Sequence, residues 1–565
     1  MSMKKTLLLF ILFLATMALS AQNRLVERIY VTTDRSAYVV GDMLWCSAFC
    51  VDASGSEPAL SHFSGIAYLE LVSATGSEMT MKIALNQGRG GGAFRIPSSL
   101  PTGNYRLIAY TAQNRNETGR SFLEEGKILS IFNTLSTRRV KGGVRVAEFG
   151  EYVFRDPEKQ ESGAVRALIG RQARTSTSVP LILENAGSDA TLSVSVSLQD
   201  GINDPGNGTV ADFLSRLPAP GSISLTEDVL PEYEGEILRG TVEGPDKDKV
   251  KYDQTQFAVI STAGAASDTY VSAIRDGEAV FFTNNIYGDR ELVCELLGIE
   301  EGKDCFLLME SPFLRPASAD LPPLVLSPDL REDLIARQTS MQMQRTAALD
   351  TLVDLLPKRE NLLLKGTDAI VYHLDDYTRF PTVQEVVVEI VPELRIRKGK
   401  ISKEKEIQML YTDQTGSLTY YMGDILVLLD GVVVSDHARL LDYDALLFED
   451  ICIYSAPYTL GAKFYRGIVN FKTKKNGSIA LKFSGHTRVF DFQGASLPIA
   501  YTGRVLQEKD YRQTIFWHPL IEVGAGSERT LQIRTPDLPG RFKVVVEGLD
   551  REGRPIYAET FLDVH

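Results

Sequence analysis

The sequence predicts a mainly β protein that consists of tandem β-sandwiches, one short helical linker and one α+β domain. Most of its 565 residues fall into short runs of β-branched and aromatic residues separated by turns rich in Gly, Asp and Asn, which is the pattern of antiparallel sandwiches. One stretch, residues 321–377, instead carries helix formers. A chain of this length exceeds what one hydrophobic core supports, so several domains are expected.

The first 21 residues have the features of a secretory signal peptide. Lys4 and Lys5 precede an apolar run over residues 7–14 and a small-residue stretch that ends at Ala21, as such peptides require. This run is shorter than the roughly 20 apolar residues that cross a bilayer. We therefore predict export, cleavage near Ala21 and no transmembrane span in the mature chain. The first cysteine, Cys46, lies far from the cleavage site, which argues against a lipid anchor.

The charge balance argues against nucleic acid as a partner. The chain has 73 Asp and Glu against 60 Lys and Arg, a formal net charge of −13. Phosphate binding needs a concentrated basic face. The one basic cluster, between residues 395 and 405, is accompanied by glutamates and is interpreted as a solvated strand edge and loop.

The five cysteines do not form a disulfide framework. Cys46 and Cys50 lie four residues apart in a strand-like run, so their Cα atoms are separated by roughly 13 Å, beyond the ~7 Å limit for a bridge. Cys452 lies in an apolar strand and is interpreted as a core residue. Two alternatives stay open for Cys294 and Cys305, a disulfide across a hairpin or two thiols.

Residues 22–135 are predicted to form the first sandwich, and two motifs in them resemble a known family. The segment TDRSAYVVGDMLW contains Asp34, Tyr38 and Gly41, and the segment IPSSLPTGNYRLIAYT contains Gly103 and Tyr105. Together they resemble the macroglobulin-like, immunoglobulin-like β-sandwich of the alpha-2-macroglobulin family, where these positions are structural. No cysteine here begins the Cys-Gly-Glu-Gln element of thioester macroglobulins, so covalent capture of a target is not expected.

Two more β-rich segments follow the first sandwich. Residues 136–228 are predicted to form a second sandwich, because strand-like runs alternate with turn residues. Residues 229–320 resemble a carboxypeptidase-regulatory-like sandwich, on the basis of Gly240 and the Asp276–Gly277 turn among other positions.

The helical linker is assigned to residues 321–377. Ser327 is placed as the N-cap, Pro328 suits the first turn, and Pro357 is expected to end the helical region. Its methionines, Met341 and Met343, are interpreted as packing residues and not as a metal site.

Residues 378–475 resemble the plug domain of TonB-dependent outer-membrane receptors. The matching positions are Asp430, Gly431, Tyr458, Gly461 and Gly467. In that family a strand ending in Asp-Gly is followed by a helix, a strand, a tyrosine-glycine turn and a closing strand. A receptor also needs a barrel of about 22 strands, for which the residues after Lys475 are too few. We therefore expect a domain that stands alone or docks onto another protein.

Residues 476–565 are predicted to form a C-terminal macroglobulin-like sandwich. Asp510, Arg512 and Trp517 match the recurrent pattern of that domain. A macroglobulin-like start, a plug-like segment and this ending together resemble envelope proteins of the Bacteroidetes type.

Motifs for catalysis or metal binding are not found. The six histidines include no HExxH pair, and no GxSxG element occurs. The densest polar cluster comprises Asp436, His437, Asp442 and Asp444, which turn chemistry explains adequately. A hidden hydrolase that uses Asp436 and His437 is kept as a minor alternative. We accordingly predict no catalytic, cofactor-binding or metal-binding residue and no cofactor.

These observations lead to a functional hypothesis. The chain is predicted to be an exported, non-enzymatic envelope protein, periplasmic, associated with the outer membrane or exposed on the cell surface. It would act as a scaffold or protein-protein interaction module, with an outer-membrane barrel or transport complex as one candidate partner that it pairs with by strand addition. The alternative is a surface-exposed adhesive protein that binds glycans or peptides. The sequence leaves the partner, the side of the membrane and the oligomeric state open.

Overall fold

The computed structural model describes most of the chain after residue 24. The described residues are 25–135, 144–146, 148, 160–202, 207–226, 228–252, 256–262, 268–299, 303–346, 352–354, 369–399, 404–412, 418–420, 425–460, 463–474, 485–501 and 509–565. The predicted signal peptide, Pro357 and Gly461 lie outside them. In these residues the chain is mainly β, as the sequence predicts.

The first sandwich occupies residues 27–132. Its strands are β1 (Glu27–Thr33), β2 (Ala37–Val39), β3 (Met43–Asp52), β4 (Ala59–Leu60), β5 (Ile66–Ser73), β6 (Gly76–Ala84), β7 (Arg89–Arg95), β8 (Gly103–Tyr110) and β9 (Lys127–Phe132). One sheet contains β1, β3, β4 and β7, and the other has the order β2-β9-β8-β5-β6. Side chains such as Ile29, Cys46, Leu69 and Leu107 alternate inward from both sheets and form the core. Two 3₁₀-helices, Ala112–Asn116 and Ser121–Leu123, precede β9.

The next segment supplies strands to a second sandwich. Its elements are β10 (Val144–Val146), β11 (Val165–Ile169), β12 (Gln172–Ala173), β13 (Ser178–Asn185), β14 (Ala190–Leu198) and α1 (Val210–Ser215). Helix α1 begins after Thr209, whose side chain accepts a hydrogen bond from the Asp212 backbone while the Asp212 carboxylate accepts one from the Thr209 backbone. This reciprocal capping satisfies donors that a helix start leaves free.

The third sandwich begins at residue 237. Its first strands are β15 (Ile237–Glu243), β16 (Phe257–Thr262), β17 (Thr269–Ala273), β18 (Glu278–Phe282), β19 (Asp289–Leu297) and β20 (Phe306–Met309), with a 3₁₀-helix at Lys247–Lys249. Strands β18, β15 and β20 form one sheet, and β17, β16 and β19 belong to the other. Leu238, Ile260, Phe281 and Leu296 lie in their shared core.

A helix lies where the sequence predicts one. The elements are β21 (Leu324–Leu326), a 3₁₀-helix (Pro328–Leu330), α2 (Arg331–Thr346) and β22 (Leu352–Asp354). The Ser327 side chain accepts a hydrogen bond from the Asp329 backbone, and Pro328 occupies the first turn. Met341 packs on the first sandwich beside Gly41. A Cβ placed on Gly41 would lie 3.0 Å from the Met341 Sδ. Met343 is exposed.

An α+β domain lies between residues 370 and 473, and we call it the plug-like domain after the sequence resemblance of residues 378–475. Its elements are β23 (Ile370–His373), a 3₁₀-helix (Leu374–Asp376), α3 (Val383–Glu389), β24 (Leu394–Lys398), β25 (Lys405–Thr412), β26 (Leu418–Tyr420), β27 (Leu426–Leu429), β28 (Val432–Val433), α4 (His437–Leu441), a 3₁₀-helix (Ala445–Leu447), β29 (Phe448–Tyr454), β30 (Tyr458–Leu460), β31 (Lys463–Tyr465) and β32 (Ile468–Thr473). The main sheet has the order β23-β29-β32-β27-β28. Helices α3 and α4 cover one face of it through Val387, Leu441 and Phe471.

The last strands return to the second and third sandwiches. They are β33 (Thr487–Gln493), β34 (Ile499–Tyr501), β35 (Thr514–Val523), β36 (Glu528–Arg534), β37 (Gly540–Asp550) and β38 (Pro555–Val564). Strand β14 lies between β35 and β37, and β13 pairs with β36. Strand β33 pairs with β19 and completes the third sandwich.

The domains are therefore nested in the chain and do not follow one another. The plug-like domain interrupts the third sandwich, and both interrupt the second sandwich, which is built from residues 165–198 and 514–564. The prediction of two separate sandwiches, 136–228 and 476–565, is therefore wrong, because strands from both segments share the second sandwich. Alternation of apolar residues shows that a strand buries one face, but it does not show which distant strand supplies the neighbour.

Candidate interaction surface

The first macroglobulin-like motif lies at the contact between the first and second sandwiches. The buried Asp34 carboxylate accepts hydrogen bonds from the Tyr38 hydroxyl at 2.7 Å and from the Thr514 hydroxyl at 2.6 Å. It also pairs with the Arg35 guanidinium at 3.3 Å. Gly41 adopts a φ of +93°, which favours glycine. The motif thus closes the turn before β3 and attaches it to β35.

The motif residues of the last segment lie at the same contact. The Trp517 ring lies 5.2 Å from the Trp45 ring, and the Trp45 ring lies 5.2 Å from that of Tyr501. Arg512 donates hydrogen bonds to Asp510 at 2.6 and 2.5 Å. The contact between Trp517 and Trp45 holds β35 against the first sandwich.

Gly103 and Tyr105 have local roles in the first sandwich. Gly103 begins β8, and the buried Tyr105 ring directs its hydroxyl to the Pro101 carbonyl oxygen at 2.6 Å. This hydrogen bond fixes the turn that precedes β8.

The plug-like motif residues build the turns of that domain. Asp430 and Gly431 have φ values of +48° and +84° and reverse the chain between β27 and β28. The Asp430 carboxylate accepts hydrogen bonds from the Thr473 backbone at 2.8 Å and hydroxyl at 2.7 Å. A Cβ on Gly467 would lie 2.9 Å from the Tyr454 carbonyl oxygen, so a larger residue does not fit there. Tyr458 begins β30.

The face of the plug-like sheet opposite its helices is covered by the third sandwich. Leu428 and Cys452 of the sheet share an apolar cluster with Val259 of β16. At the β28 edge of the sheet, the Ser261 hydroxyl accepts a hydrogen bond from the Val433 backbone at 3.4 Å. The plug-like domain is therefore fixed on the chain's own sandwich.

A buried carboxyl group lies in this contact. Glu295 of β19 accepts a hydrogen bond from the Ser435 hydroxyl of the plug-like domain. Burial raises the pKa of Glu295 to about 7, because a charged carboxylate is poorly solvated there. Protonation of Glu295 near neutral pH is therefore expected to strengthen this contact.

The opposite edge of the plug-like sheet is exposed. In the described part of the chain, β23 has β29 as its single strand neighbour. Ile370 and Val371 of β23 are 42% and 41% exposed, and exposed apolar side chains also occupy the flanking turns. We call this set the edge surface; it comprises Ile370, Val371, Tyr377, Leu446 and Leu447.

The turns of the edge surface are held together by hydrogen bonds. The Arg379 guanidinium donates to the carbonyl oxygens of Ala445 and Phe448 at 3.4 and 3.0 Å. The Tyr377 ring lies 6.2 Å from that of Tyr372 in β23. The exposed apolar groups are thus carried on ordered elements.

Strand β23 lies within residues 321–377, for which the sequence predicts a helical linker. The signal was present as Ile370, Val371 and Tyr372, a run of β-branched and aromatic residues that favours a strand. The run is short and lies next to a stretch rich in helix formers, so the helical pattern outweighed it. The structure makes this strand the exposed edge of the sheet.

The polar cluster at residues 436–444 is used for caps and turns. Asp436 caps α4 through the Arg439 backbone at 3.0 Å, and Asp444 accepts a hydrogen bond from the Leu446 backbone at 2.9 Å. His437 accepts one from the Ile407 backbone at 3.2 Å. Burial lowers the pKa of His437 to about 4, so the imidazole is neutral at pH 7. Asp442 lies 3.8 Å from Lys405. Across the described ranges, no group of three or more His, Cys, Asp and Glu is placed to hold a metal.

All five cysteines are buried free thiols, which settles the alternatives for Cys294 and Cys305 in favour of two thiols. Burial raises the pKa of Cys294 to about 12. A thiol with a raised pKa is a poor nucleophile and metal ligand.

Taken together, the described residues form three β-sandwiches and one α+β domain. None of their helices has the length and apolar character needed to cross a membrane. No protein-family model matches the chain, and no curated protein matches it.

Among solved structures, the chain is similar to bacterial alpha-2-macroglobulins at low identity. For the trypsin-activated Escherichia coli protein the identity is 10% and the TM-score 0.22, over 95% of this chain and 41% of that one. For the methylamine-reacted Salmonella protein the identity is 9% and the TM-score 0.23, over 95% and 39%. A tetra-tandem repeat of a large adhesion protein matches with 9% identity and a TM-score of 0.13, over 96% of this chain and 100% of that one. The chain spans about two fifths of the macroglobulins. TM-scores this low do not define a relationship, and the fold description comes from the strand pairing.

Proposed function

We propose that this chain is an exported, non-enzymatic protein of the bacterial envelope that binds a protein partner at the outer membrane through the edge surface. The observation that carries the proposal is the exposed strand β23, with Ile370 and Val371 about two fifths exposed. An edge strand presents unpaired backbone N–H and C=O groups and is a template for another strand. Partners that add a strand use these groups for affinity and side-chain pockets for specificity.

The contrast between the two edges of the plug-like sheet supports this assignment. The β28 edge is covered by β16 of the third sandwich, through Val433 and Ser261. The β23 strand exposes the apolar Ile370 and Val371, while the ion-pairing groups His373 and Asp375 lie at its C-terminal end. The nested chain holds the plug-like domain firmly on the sandwiches, so its exposed edge is presented in a fixed orientation. This is what a scaffold or docking module requires.

The partner that fits best is a β-rich envelope protein, such as an outer-membrane barrel or a transport complex. Export by the predicted signal peptide would bring the mature chain to the compartment of such partners, which supports this partner class. The resemblance of residues 378–475 to a receptor plug is consistent with the same partner class. The alternative, a surface adhesive protein, predicts contacts through the sandwiches instead.

The test is photo-cross-linking in native envelopes with the chain at its natural level. A benzoylphenylalanine replaces Tyr377 of the edge surface, and a matched control replaces Tyr233, an exposed tyrosine before the third sandwich. We expect a cross-link to an outer-membrane protein from position 377 and none to that protein from position 233.

A pair of substitutions makes the test specific for the edge. Val371→Asp introduces a charge on β23, and Leu168→Asp does so on the equally exposed edge strand β11 of the second sandwich. The cross-link should be lost in V371D and retained in L168D. Retention in both variants, or links to secreted or surface proteins alone, would contradict the docking proposal.

A further inference from the structure

A buried lysine and a buried glutamate join the first sandwich to the third. Lys82 lies in β6, and Glu236 immediately precedes β15. The Lys82 Nζ lies 2.9 and 2.7 Å from the two carboxylate oxygens of Glu236. The two side chains are only 1% and 4% exposed. The pair is therefore shielded from water between two domains.

The surroundings of the pair disfavour its charged forms. The Lys82 Nζ lies 4.3 Å from the centre of the Phe492 ring and 5.5 Å from that of the Phe313 ring. Burial lowers the pKa of Lys82 and raises that of Glu236, because charged groups are poorly solvated there. The attraction between the two groups opposes both shifts but does not reverse them. The environment thus favours a neutral amine and a neutral carboxylic acid, and a desolvated lysine amine is a nucleophile.

The backbone on each side of the pair is fixed. The Lys82 carbonyl oxygen accepts a hydrogen bond from the Ser496 backbone at 2.8 Å, and the Glu236 carbonyl oxygen accepts one from the Thr283 hydroxyl at 2.7 Å. A Cβ on Gly235 would lie 2.5 Å from the Thr283 carbonyl oxygen, so the chain before Glu236 packs closely on the neighbouring turn. Well-oriented groups that are held in contact react as if their concentration were about 10⁵–10⁸ M.

Two further charged groups complete the cluster. The Glu232 carboxylate accepts hydrogen bonds from the Tyr68 hydroxyl at 2.9 and 3.0 Å and from the Ile237 backbone at 2.8 Å, which leaves Lys82 to Glu236. The Arg115 guanidinium lies 5.3 Å from the centre of the Tyr68 ring, and its positive charge favours negative charge on the Glu236 carboxyl group. Such a fixed charge stabilises the oxyanion that forms when a nucleophile attacks that group.

We propose that Lys82 and Glu236 form an intramolecular isopeptide bond once the chain has folded. The Lys82 Nζ attacks the Glu236 Cδ, a C–N bond forms and the C–OH bond breaks. The hydroxyl group leaves as water with one proton from Nζ, so no oxidant, metal or further reactant is consumed.

The amide ties two domains that disulfides do not join, since all five cysteines are free thiols. It connects residues 154 positions apart in the chain, and closing so long a loop restricts the unfolded state. Neither residue belongs to the edge surface, so this proposal stands independently of the docking function.

Peptide mapping by mass spectrometry tests the proposal. The full chain is purified from native envelopes, denatured and digested with trypsin and chymotrypsin. We expect one branched peptide that contains Lys82 and Glu236, with a mass lower than the sum of its two parts by one water molecule. Trypsin should fail to cut after Lys82, because the amide removes the charge that trypsin recognises.

Two substitutions assign the bond to this pair. Lys82→Arg keeps the positive charge but replaces the amine with a guanidinium group that stays protonated, and Glu236→Ala removes the carboxyl group. Neither variant should give the branched peptide. Lys543→Arg is the matched control, because Lys543 pairs with Glu559 at 3.1 Å in a more exposed position; this variant should retain the bond between Lys82 and Glu236.

Three outcomes would overturn the proposal. Recovery of the wild-type Lys82 and Glu236 peptides as separate species, each at its full sequence mass, would show that the pair remains an ion pair. A loss of water that maps to another position, such as a succinimide at Asp430, would exclude the amide as its cause. A branched peptide that persists in K82R would place the link on a different lysine.

Discussion

The contact between the first and second sandwiches differs in chemistry from the contact between the third sandwich and the plug-like domain. The first contains buried ion pairs and charge-assisted hydrogen bonds, among them Asp34 with Arg35, and Tyr30 with Glu547 at 2.5 Å. The second is an apolar cluster around Leu428 and Val259 with one buried carboxyl group, Glu295. Buried polar networks require each member to be satisfied, whereas apolar contacts tolerate small adjustments. We therefore infer that loss of one polar partner weakens the first contact more than loss of one apolar side chain weakens the second.

The largest effect is expected from breaking the charged contact. Asp34→Ala removes one of the two carboxylates that pair with Arg35, the other being Asp42 at 3.4 Å, and it removes the acceptor of hydrogen bonds from Tyr38 and Thr514. Leaving these two buried hydroxyl donors without their acceptor costs about 1–3 kcal/mol each. Urea unfolding followed by tryptophan fluorescence measures this directly, because both tryptophans of the chain, Trp45 and Trp517, lie at this contact.

A control separates the buried pair from charge in general. Asp563→Asn breaks an exposed pair with Arg541 at 3.4 Å on the second sandwich, and it should hardly change the tryptophan transition, since exposed pairs contribute little. If D34A and D563N changed the free energy of unfolding equally, burial of the Asp34 carboxylate would not add to its contribution to stability.

A smaller and local effect is expected at the apolar contact. Leu428→Ala removes a fully buried side chain between the plug-like sheet and the third sandwich, which costs about 3 kcal/mol. Since the plug-like domain interrupts the third sandwich, it can loosen without opening the contact that carries the tryptophans. Hydrogen exchange should accelerate in β27, β28 and β16, while the tryptophan transition keeps its midpoint.

The matched control lies on the other side of the same domain. Leu446→Ala alters an exposed leucine of the edge surface and should leave hydrogen exchange in β27 and β28 unchanged. If L428A instead shifts the tryptophan transition as far as D34A does, the nested domains unfold as one cooperative unit and the comparison between the two contacts fails.

The sequence was sufficient for the local elements but not for their pairing. Alternation and turn residues identified most strands, and Ser327 with Pro328 identified the start of the helical segment that contains α2. The partners of β14 lie more than 300 residues further along the chain, at β35 and β37, and local patterns hold no information on such pairs. The family motif suggested structural positions such as Asp34 and Trp517, but not that both lie at the contact between the first and second sandwiches.

The contact between the third sandwich and the plug-like domain is also expected to depend on pH, because it contains Glu295. The folded chain holds the pKa of Glu295 at about 7, above its usual value of 4.5, because the carboxyl group is buried. The folded state therefore keeps a proton that the unfolded state loses, and the stabilisation is full below pH 4.5 and is lost as the pH rises through about 7. Between pH 5 and pH 7 the loss amounts to about 2 kcal/mol.

Glu232, near the first sandwich, has its pKa raised to about 7 as well, so the difference between wild type and Glu295→Gln is the quantity to measure. When the pH is lowered, hydrogen exchange in β28 and α4 of the wild type should slow by more than the intrinsic pH dependence of exchange. This extra slowing should vanish in E295Q. Glu291→Gln, an exposed glutamate on the same strand, should behave as the wild type; an excess that persists in E295Q would assign the pH sensitivity to another group.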